Sequence, residues 1–527
     1  MDGPPGLKPA LRRAGHRSPH GSGGGHAARR GVAAGRARSL AASLPSGSDV
    51  GIAIRIGAVA GPTRRSFLKA GSAAALALSA QGRARRLFAG DRPRVGIVGG
   101  GLTGVACAWL LDGVADSVLF EGRATLGGHA QTIPVLVQGQ EIQVDVGAQF
   151  FARATHPTYT KLVEILGLLD PDHPDEDATV AADMTITVAE DGAERPRFMS
   201  ASKGRLWPAL APWNRPALGP FLTLALRARN FIEDGDWSLS LDDWLRNLPV
   251  PPEQREGLLL PLLGALTGCS IDQARALSAR SALFFIAKPL PRNLLDPIRY
   301  DNSLLGTEGN VETLAAHAHD LTTHLGSAVT AVEPVDGGGH RVRNAAGACE
   351  KVDVVVFATP PYQARPLLPA IPELDGVAQV LDAFEYFTSQ IAIHRDPIYM
   401  PGKRRFWSAY NAAIEVEAAY CEGSVWYGAL RPVPPGQAPL SLFKSWASAR
   451  PEPPREEVFR QVFRHPYVTP AFIDTLRRLD GNQGRGGVWF AGSYTREVDS
   501  QETALTSAMS VVQHIDPDAP NLRALQA

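Results

Sequence analysis

Cysteine is scarce in this sequence. The 527 residues include four, Cys107, Cys269, Cys349 and Cys421, with no Cys-x-x-Cys pair and no cysteine–histidine spacing of a zinc site. A cysteine-built metal centre is therefore not expected, and all four should be buried apolar side chains. Net charge is also lacking, with 53 basic and 53 acidic residues. The balance hides an asymmetry: residues 1–90 carry fifteen Lys or Arg against two acids, which leaves 38 against 51 for the remainder. The basic excess belongs to the leader, so the body offers no electrostatic reason to bind nucleic acid. No stretch approaches the about 20 apolar residues that cross a bilayer, so no transmembrane segment is expected after the leader. An apolar share of 44% and a charged share of 20% suit an ordinary globular protein. The length suggests two or more domains.

The leader has its own pattern. Thr63-Arg64-Arg65-Ser66-Phe67-Leu68-Lys69 resembles a twin-arginine (Tat) export signal, and an Ala-rich segment from Ala70 to Ala80 follows it. The expectation is export by that route, with the Tat translocon as a transient partner and a periplasmic or extracellular destination. Residues 1–62 are rich in Gly, Ala, Arg and Pro and show no hydrophobic period. They read as a disordered basic tail or as a start assigned too far upstream, the second being favoured because such signals normally sit close to the N-terminus.

The next motif is chemical. Arg94–Val98 is a short apolar run, and Gly99, Gly101 and Gly104 after it form Gly-x-Gly-x-x-Gly, enclosing Leu102 and Thr103. A helical stretch follows, then a second strand, Ser117–Phe120, which ends in Glu121, twenty-two residues after the first glycine. Strand, glycine turn, helix, strand and acid are the full context of a dinucleotide fold. Gly99 permits the tight turn, Gly101 lets backbone approach a pyrophosphate, and Gly104 lets helix pack on strand. The helix N-terminus offers N–H groups to phosphate, and Glu121 an acceptor to a ribose.

A second glycine pair, Gly127-Gly128, comes six residues after Glu121, with Arg123 between and His129 after. This extended motif resembles the flavin-containing amine oxidase group, which includes monoamine and polyamine oxidases, protoporphyrinogen oxidase and phytoene-type desaturases. The likeness continues through VDVGAQFF (Val144–Phe151), LLGTEGN (Leu304–Asn310), the strand at Val329, VDVVVFATPP and GVWFAGSYTREVDSQETALTSAMSVV. It implies FAD as cofactor, with the second glycine loop on the pyrophosphate, Gly147 beside the flavin ring and Val329 near the adenine. Gly492, Ser493, Thr503 and Ala504 would be the closing contacts, the last helix aiming its N-terminus at the flavin.

Three features depart from that pattern. Ser493 stands where relatives often place an acid, and Thr503-Ala504 where they often have Gly-Ala. Amine-oxidising relatives hold a lysine under flavin N5, and an ungapped match puts Ser389 there; no lysine lies between Pro361 and Lys403. That weakens amine oxidation. Gln149 and Ser389 are weak catalytic candidates, with His129 and His394 as further polar neighbours.

The expected fold is α/β, a Rossmann-type FAD-binding domain with an inserted α+β substrate domain. The cofactor domain should be built from 91–165, 291–365 and 476–527. Residues 166–290, helical in pattern with Asp242 as a capping residue, and 366–475, rich in aromatics, should form the substrate domain. The aromatic walls suit an apolar or flat substrate, small or lipid-like. Hydride transfer to the flavin is the chemistry implied, and a flavin-binding redox or assembly partner without turnover is the alternative of another class.

Overall fold

The computed structural model describes residues 92–527 apart from 171–176, 192, 292, 294–295, 416, 418 and 432. The leader, with its twin-arginine pattern, lies outside the described residues. Arg94–Val98 has no polar face, and every residue after Arg94 is buried. Such a run suits the middle of a parallel sheet covered on both sides. It lies there, third in a five-stranded parallel sheet ordered Leu321–His324, Asp116–Phe120, Arg94–Val98, Val354–Phe357, Val488–Phe490. Ile97 sits opposite Leu119 on one side and Val356 on the other. The helix Leu102–Leu110 is buried along its whole length. It shares a core with the final long helix, Gln501–Ile515, through Val105, Leu505, Ala508 and Val512.

A second, seven-stranded sheet is ordered Glu457–Pro466, Tyr386–His394, Phe443–Trp446, Tyr420–Trp426, Tyr410–Glu415, Ile186–Glu190, Phe198–Met199. It is antiparallel except where Ile186–Glu190 runs parallel to Tyr410–Glu415. Helices Arg215–Asp234, Leu260–Thr267 and Ala279–Ala287 pack against it around Leu224, Leu262, Leu263 and Leu283. All strands of the parallel sheet come from outside 166–290 and 366–475, and all strands of the larger sheet from inside those stretches.

Three local expectations are corrected. Cys349 is exposed, at the start of a short strand in the small sheet Val329–Pro334, His340–Asn344, Cys349–Val352; the other three cysteines are buried. The helix Leu241–Arg246 is capped by Ser240, whose hydroxyl accepts from Asp243 N, so Asp242 lies two residues past the cap in the first turn, where its charge suits the helix N-terminus. The stretch 166–290 is not wholly helical, since it gives the strands Thr179–Asp183, Ile186–Glu190 and Phe198–Met199.

Asp145, 2% exposed, ends the hairpin Thr132–Val137/Gln140–Asp145. One of its oxygens accepts from Thr132 Oγ1 at 2.7 Å, Thr307 N at 2.7 Å and Thr307 Oγ1 at 2.9 Å. The carboxylate thereby ties the hairpin to the N-terminus of helix Gly306–Ala316 and sets the course of residues 147–149. Burial raises its pKa, and the threonine hydrogen bonds and nearby Lys444 pull it back down. Asp145→Ala strands the Thr132 hydroxyl and Thr307 N, while the Thr307 hydroxyl keeps Ala148 O as acceptor, and it leaves Lys444 without its counter-charge. It should cost roughly 3–5 kcal/mol by chemical denaturation, with Asp145→Asn, which keeps an acceptor, intermediate.

Candidate active site

The first glycine turn has no room for a side chain at Gly99 or Gly104. Gly99 has φ +114°, and a Cβ there would lie 2.6 Å from Ala358 O; a Cβ on Gly104 would lie 1.9 Å from Gly99 O. Gly104 therefore serves the packing of helix on turn and does not line the cavity described below. Gly101 enters the helix Leu102–Leu110 with no side-chain cap, so the helix's first N–H groups remain available. The second turn is laced to the first: Gly127 N donates to Gly100 O at 2.9 Å, and Gly101 and Gly127 form a parallel bridge. Glu121 closes the arrangement, its two oxygens accepting from Gly100 N at 2.7 Å and Arg123 N at 2.8 Å. Arg123 in turn donates to Gly128 O at 3.1 Å.

These turns open onto a cavity of about 1190 Å³. Gly99, Gly101, Leu102, Thr103, Glu121, Arg123, Gly127, Gly128, His129, Gly147, Gln149, Val329, Gly492, Ser493 and Ala504 all line it. Thr503 does not. The last helix begins at Gln501 rather than Thr503, and Thr503 forms a capping box with Ser500, leaving Ala504 facing the cavity. Thr103 Oγ1 donates to Ala504 O at 3.3 Å, which joins the first turn to the last helix. His394 and Ser389 do not line the cavity either; both are fully buried, and His394 pairs with Ser445 Oγ at 2.8 Å.

Ser389 belongs to a relay. His465 Nε2 lies 3.1 Å from Ser389 Oγ, and His465 Nδ1 lies 3.1 Å from Asp499, which also accepts from Ser493 Oγ at 2.5 Å. The set has the composition of a hydrolase triad, but a serine with no exposed surface cannot attack a substrate. Its role is to hold the His465 ring, which lines the cavity with Asp499 and His129. Burial pushes the Asp499 carboxyl up, but the His465 hydrogen bond and charge outweigh that and leave it below the usual range. Burial, then His465, lowers His129. Asp499 thus returns to Ser493 the negative charge that the sequence had lost at that position.

Lys444 is the residue that sequence reasoning missed. It is 3% exposed on the strand Phe443–Trp446, next to Tyr386–His394, and it lines the cavity. Its Nζ donates to Gly147 O at 2.5 Å and to Gln149 Oε1 at 3.3 Å, while Gln149 Nε2 donates to Tyr427 OH and Asn302 Oδ1. Burial lowers Lys444 to about 8, with Asp145 opposing the fall. The signal available beforehand was a single lysine within the strand-like apolar segment SLFKSW.

A sequence profile of flavin containing amine oxidoreductases matches residues 102–394, more than half of the chain. The protein belongs to the flavin-containing amine oxidoreductases. Solved structures of similar fold include cyclohexylamine oxidase from Brevibacterium oxydans IH-35A, at 15% identity and TM-score 0.56 over 83% of this chain and 100% of that one. Putrescine oxidase bound to putrescine is similar at 15% identity and TM-score 0.55, over 81% of this chain and 98% of that one. The CLA-producing fatty acid isomerase from P. acnes is similar at 13% identity and TM-score 0.55, over 80% and 99%. No curated protein matches.

The oxidoreductase's cofactor is FAD, and the residues fit it. The bare glycine turns, the uncapped helix and Glu121 suit a dinucleotide. Thr359 and Tyr494 line the same cavity, and the hydroxyl of each is buried without a protein partner. Among the described residues no cluster could hold a metal ion. Gly104→Ala should yield protein that retains little FAD, read from flavin absorbance per protein after gel filtration; full retention contradicts the packing assigned to Gly104. Lys444 gives a pH dependence. Its folded pKa of about 8 lies below the about 10.4 of an unfolded lysine. Between those values the unfolded chain binds the extra proton, so folding gains stability as pH rises. Wild type should therefore gain on Lys444→Met between pH 8 and about 10 in urea titrations, and a flat difference contradicts it.

Proposed function

We propose that this oxidoreductase is exported and removes a hydride from a C–H bond of a small or lipid-like, uncharged substrate, in a desaturation or related oxidation. The observation that carries this reading is the cavity's division of charge. Its two carboxylates, Glu121 and Asp499, are both engaged beside the glycine turns, by Gly100 and Arg123 and by Ser493 and His465. The other end is lined by Met184, Ile186, Leu266, Leu277, Phe285 and Ile286, with Tyr300 and Tyr410 among its aromatics. An alkylammonium ion would be desolvated there with no carboxylate to balance it, whereas a hydrocarbon segment gains from burial.

Bound FAD supplies the hydride acceptor. The chain's own groups orient the substrate, exclude water and take the accompanying proton. Lys444 Nζ, its neutral form brought within reach by burial, is placed to hold that proton beside Gln149. The His465–Asp499 pair keeps a polar wall fixed opposite the apolar end. Amine oxidation is the second reading, favoured by Lys444, a buried lysine that lines the cavity from a strand other than the one the sequence match pointed to. Export rests on the Thr63–Lys69 pattern and agrees with a protein that must fold around its cofactor before crossing a membrane.

Anaerobic mixing of the holoenzyme with a panel of fatty alcohols, neutral terpenoids and primary amines separates the readings. Bleaching of the flavin by the uncharged or lipid-like members is expected, and bleaching by amines alone overturns the proposal. Lys444→Met should slow that bleaching roughly 10²-fold, the scale of a lost acid–base group. For export, changing Arg64 and Arg65 together to lysine should hold the precursor in the cytoplasm of the expressing cell. Equal appearance of both forms outside removes the twin-arginine assignment.

A further inference from the structure

One face of the substrate region carries large apolar side chains that its core does not use. The short helix Trp207–Leu210 presents Leu210, 73% exposed, with Leu206 and Trp207 exposed at 48% and 41%. Trp207, Leu210 and Trp213 line a shallow groove with Arg405 and the buried Phe406. The helix Arg215–Asp234 continues the segment. It turns Ala217, Leu224, Ala225, Ala228 and Ile232 inward, while Leu222 and Leu226, one turn apart, stay exposed at 42% and 44%. Arg215 and Gly219 share their stripe by helical spacing.

The charges around this face that have no ion-pair partner among the described residues are of one sign. Arg205 lies over the Trp207 ring at 5.8 Å and Arg405 over Phe406 at 4.7 Å, while Arg404 lies over Trp407 and Trp426 at 5.6 and 5.5 Å. Arg205 donates to Ser408 Oγ, to Met199 sulfur and to Arg405 O. Among the described residues no carboxylate pairs with Arg205, Arg215, Arg404 or Arg405. The acids nearby are already engaged, Glu194 by Lys403 and Asp296 by Lys203. Tryptophan and leucine flanked by unpaired arginines is the composition of a protein surface resting at a lipid interface, with apolar side chains in the acyl boundary and cations at the headgroups. No helix among the described residues is long and apolar enough to cross a membrane, so the mode is peripheral.

We propose that this face, centred on Leu206, Trp207, Leu210 and Arg405, docks the oxidoreductase onto the surface of an anionic lipid bilayer. Charge complementarity selects the occupant: a negatively charged membrane offers the counter-charge and the apolar depth together. The face lies behind the active cavity, across the larger sheet. Phe406 O accepts from Thr187 Oγ1 at 2.8 Å, and the preceding residue on that strand, Ile186, points to the opposite side of the sheet and lines the cavity's apolar end. Docking and the lipid-like reading of the substrate support each other, but the surface argument stands without the substrate.

The test is flotation of the purified holoprotein with phosphatidylcholine vesicles, with and without phosphatidylglycerol. Binding to the anionic vesicles, weak binding to phosphatidylcholine alone and release by salt are expected. Each of Arg404→Glu and Arg405→Glu should weaken binding about fivefold or more. Leu210→Glu should abolish insertion while the protein keeps its full complement of FAD, and Leu210→Gln should be intermediate. No binding to either vesicle, or binding indifferent to Leu210→Glu and Arg405→Glu, overturns the proposal. So does a self-association seen by sedimentation that Leu210→Glu dissolves, since the face would then join two copies. Flotation needs no turnover, so its failure is separable from failure of the substrate reading.

Discussion

A single buried carboxylate connects the parts of this oxidoreductase. Asp145 holds the hairpin that follows the second glycine turn against the start of helix Gly306–Ala316, and it is the nearby counter-charge for Lys444 on the larger sheet. A carboxylate out of water is tolerable only when donors and a cation surround it, so each of these elements is confined by the others. The segment carried between them, Gly147 to Gln149, forms the floor of the cavity, and Lys444 touches that floor directly.

The cavity's two ends follow different rules. At the glycine turns, selectivity comes from the main chain: the Cβ-free positions bring backbone close enough that Gly127 bonds Gly100, while Glu121 holds Gly100 N and Arg123 reaches Gly128 O. At the far end it comes from side chains of the helices and strands of 166–290, whose apolar surfaces leave the few cavity charges at one end. Lys444 and the His465–Asp499 pair are titratable groups of the polar end, held by fixed partners. Such placement suits a site that must manage one proton while keeping water out.

Much of the cofactor end was legible from residues alone. Gly99, Gly101, Glu121 and Gly127 carry local rules, because a tight turn, a close approach and a strand-ending acid are properties of short segments. Two contacts were less direct. Thr503 is spent on capping its own helix, and Gly104 serves packing. Cys349 and Asp242 departed from expectation for a like reason: exposure and capping depend on which neighbour covers a residue, and no short window reports that.

The sequence by itself determined the first two strands of the parallel sheet, the glycine turns and their flavin-type spacing, since apolar strand runs and bare glycines encode them within one short stretch, Arg94 to Gly128. Only the tertiary structure decided what the cavity does between its ends. Ser389 looked aligned with a catalytic position and is walled in, while Lys444, more than fifty residues further along, reaches the cavity from the neighbouring strand. Likewise Asp499 restores a charge that Ser493 lacks. Strand neighbours in a sheet are chosen by pairing and not by chain order, so a functional group can be supplied from a distant segment while the local motif shows only its absence.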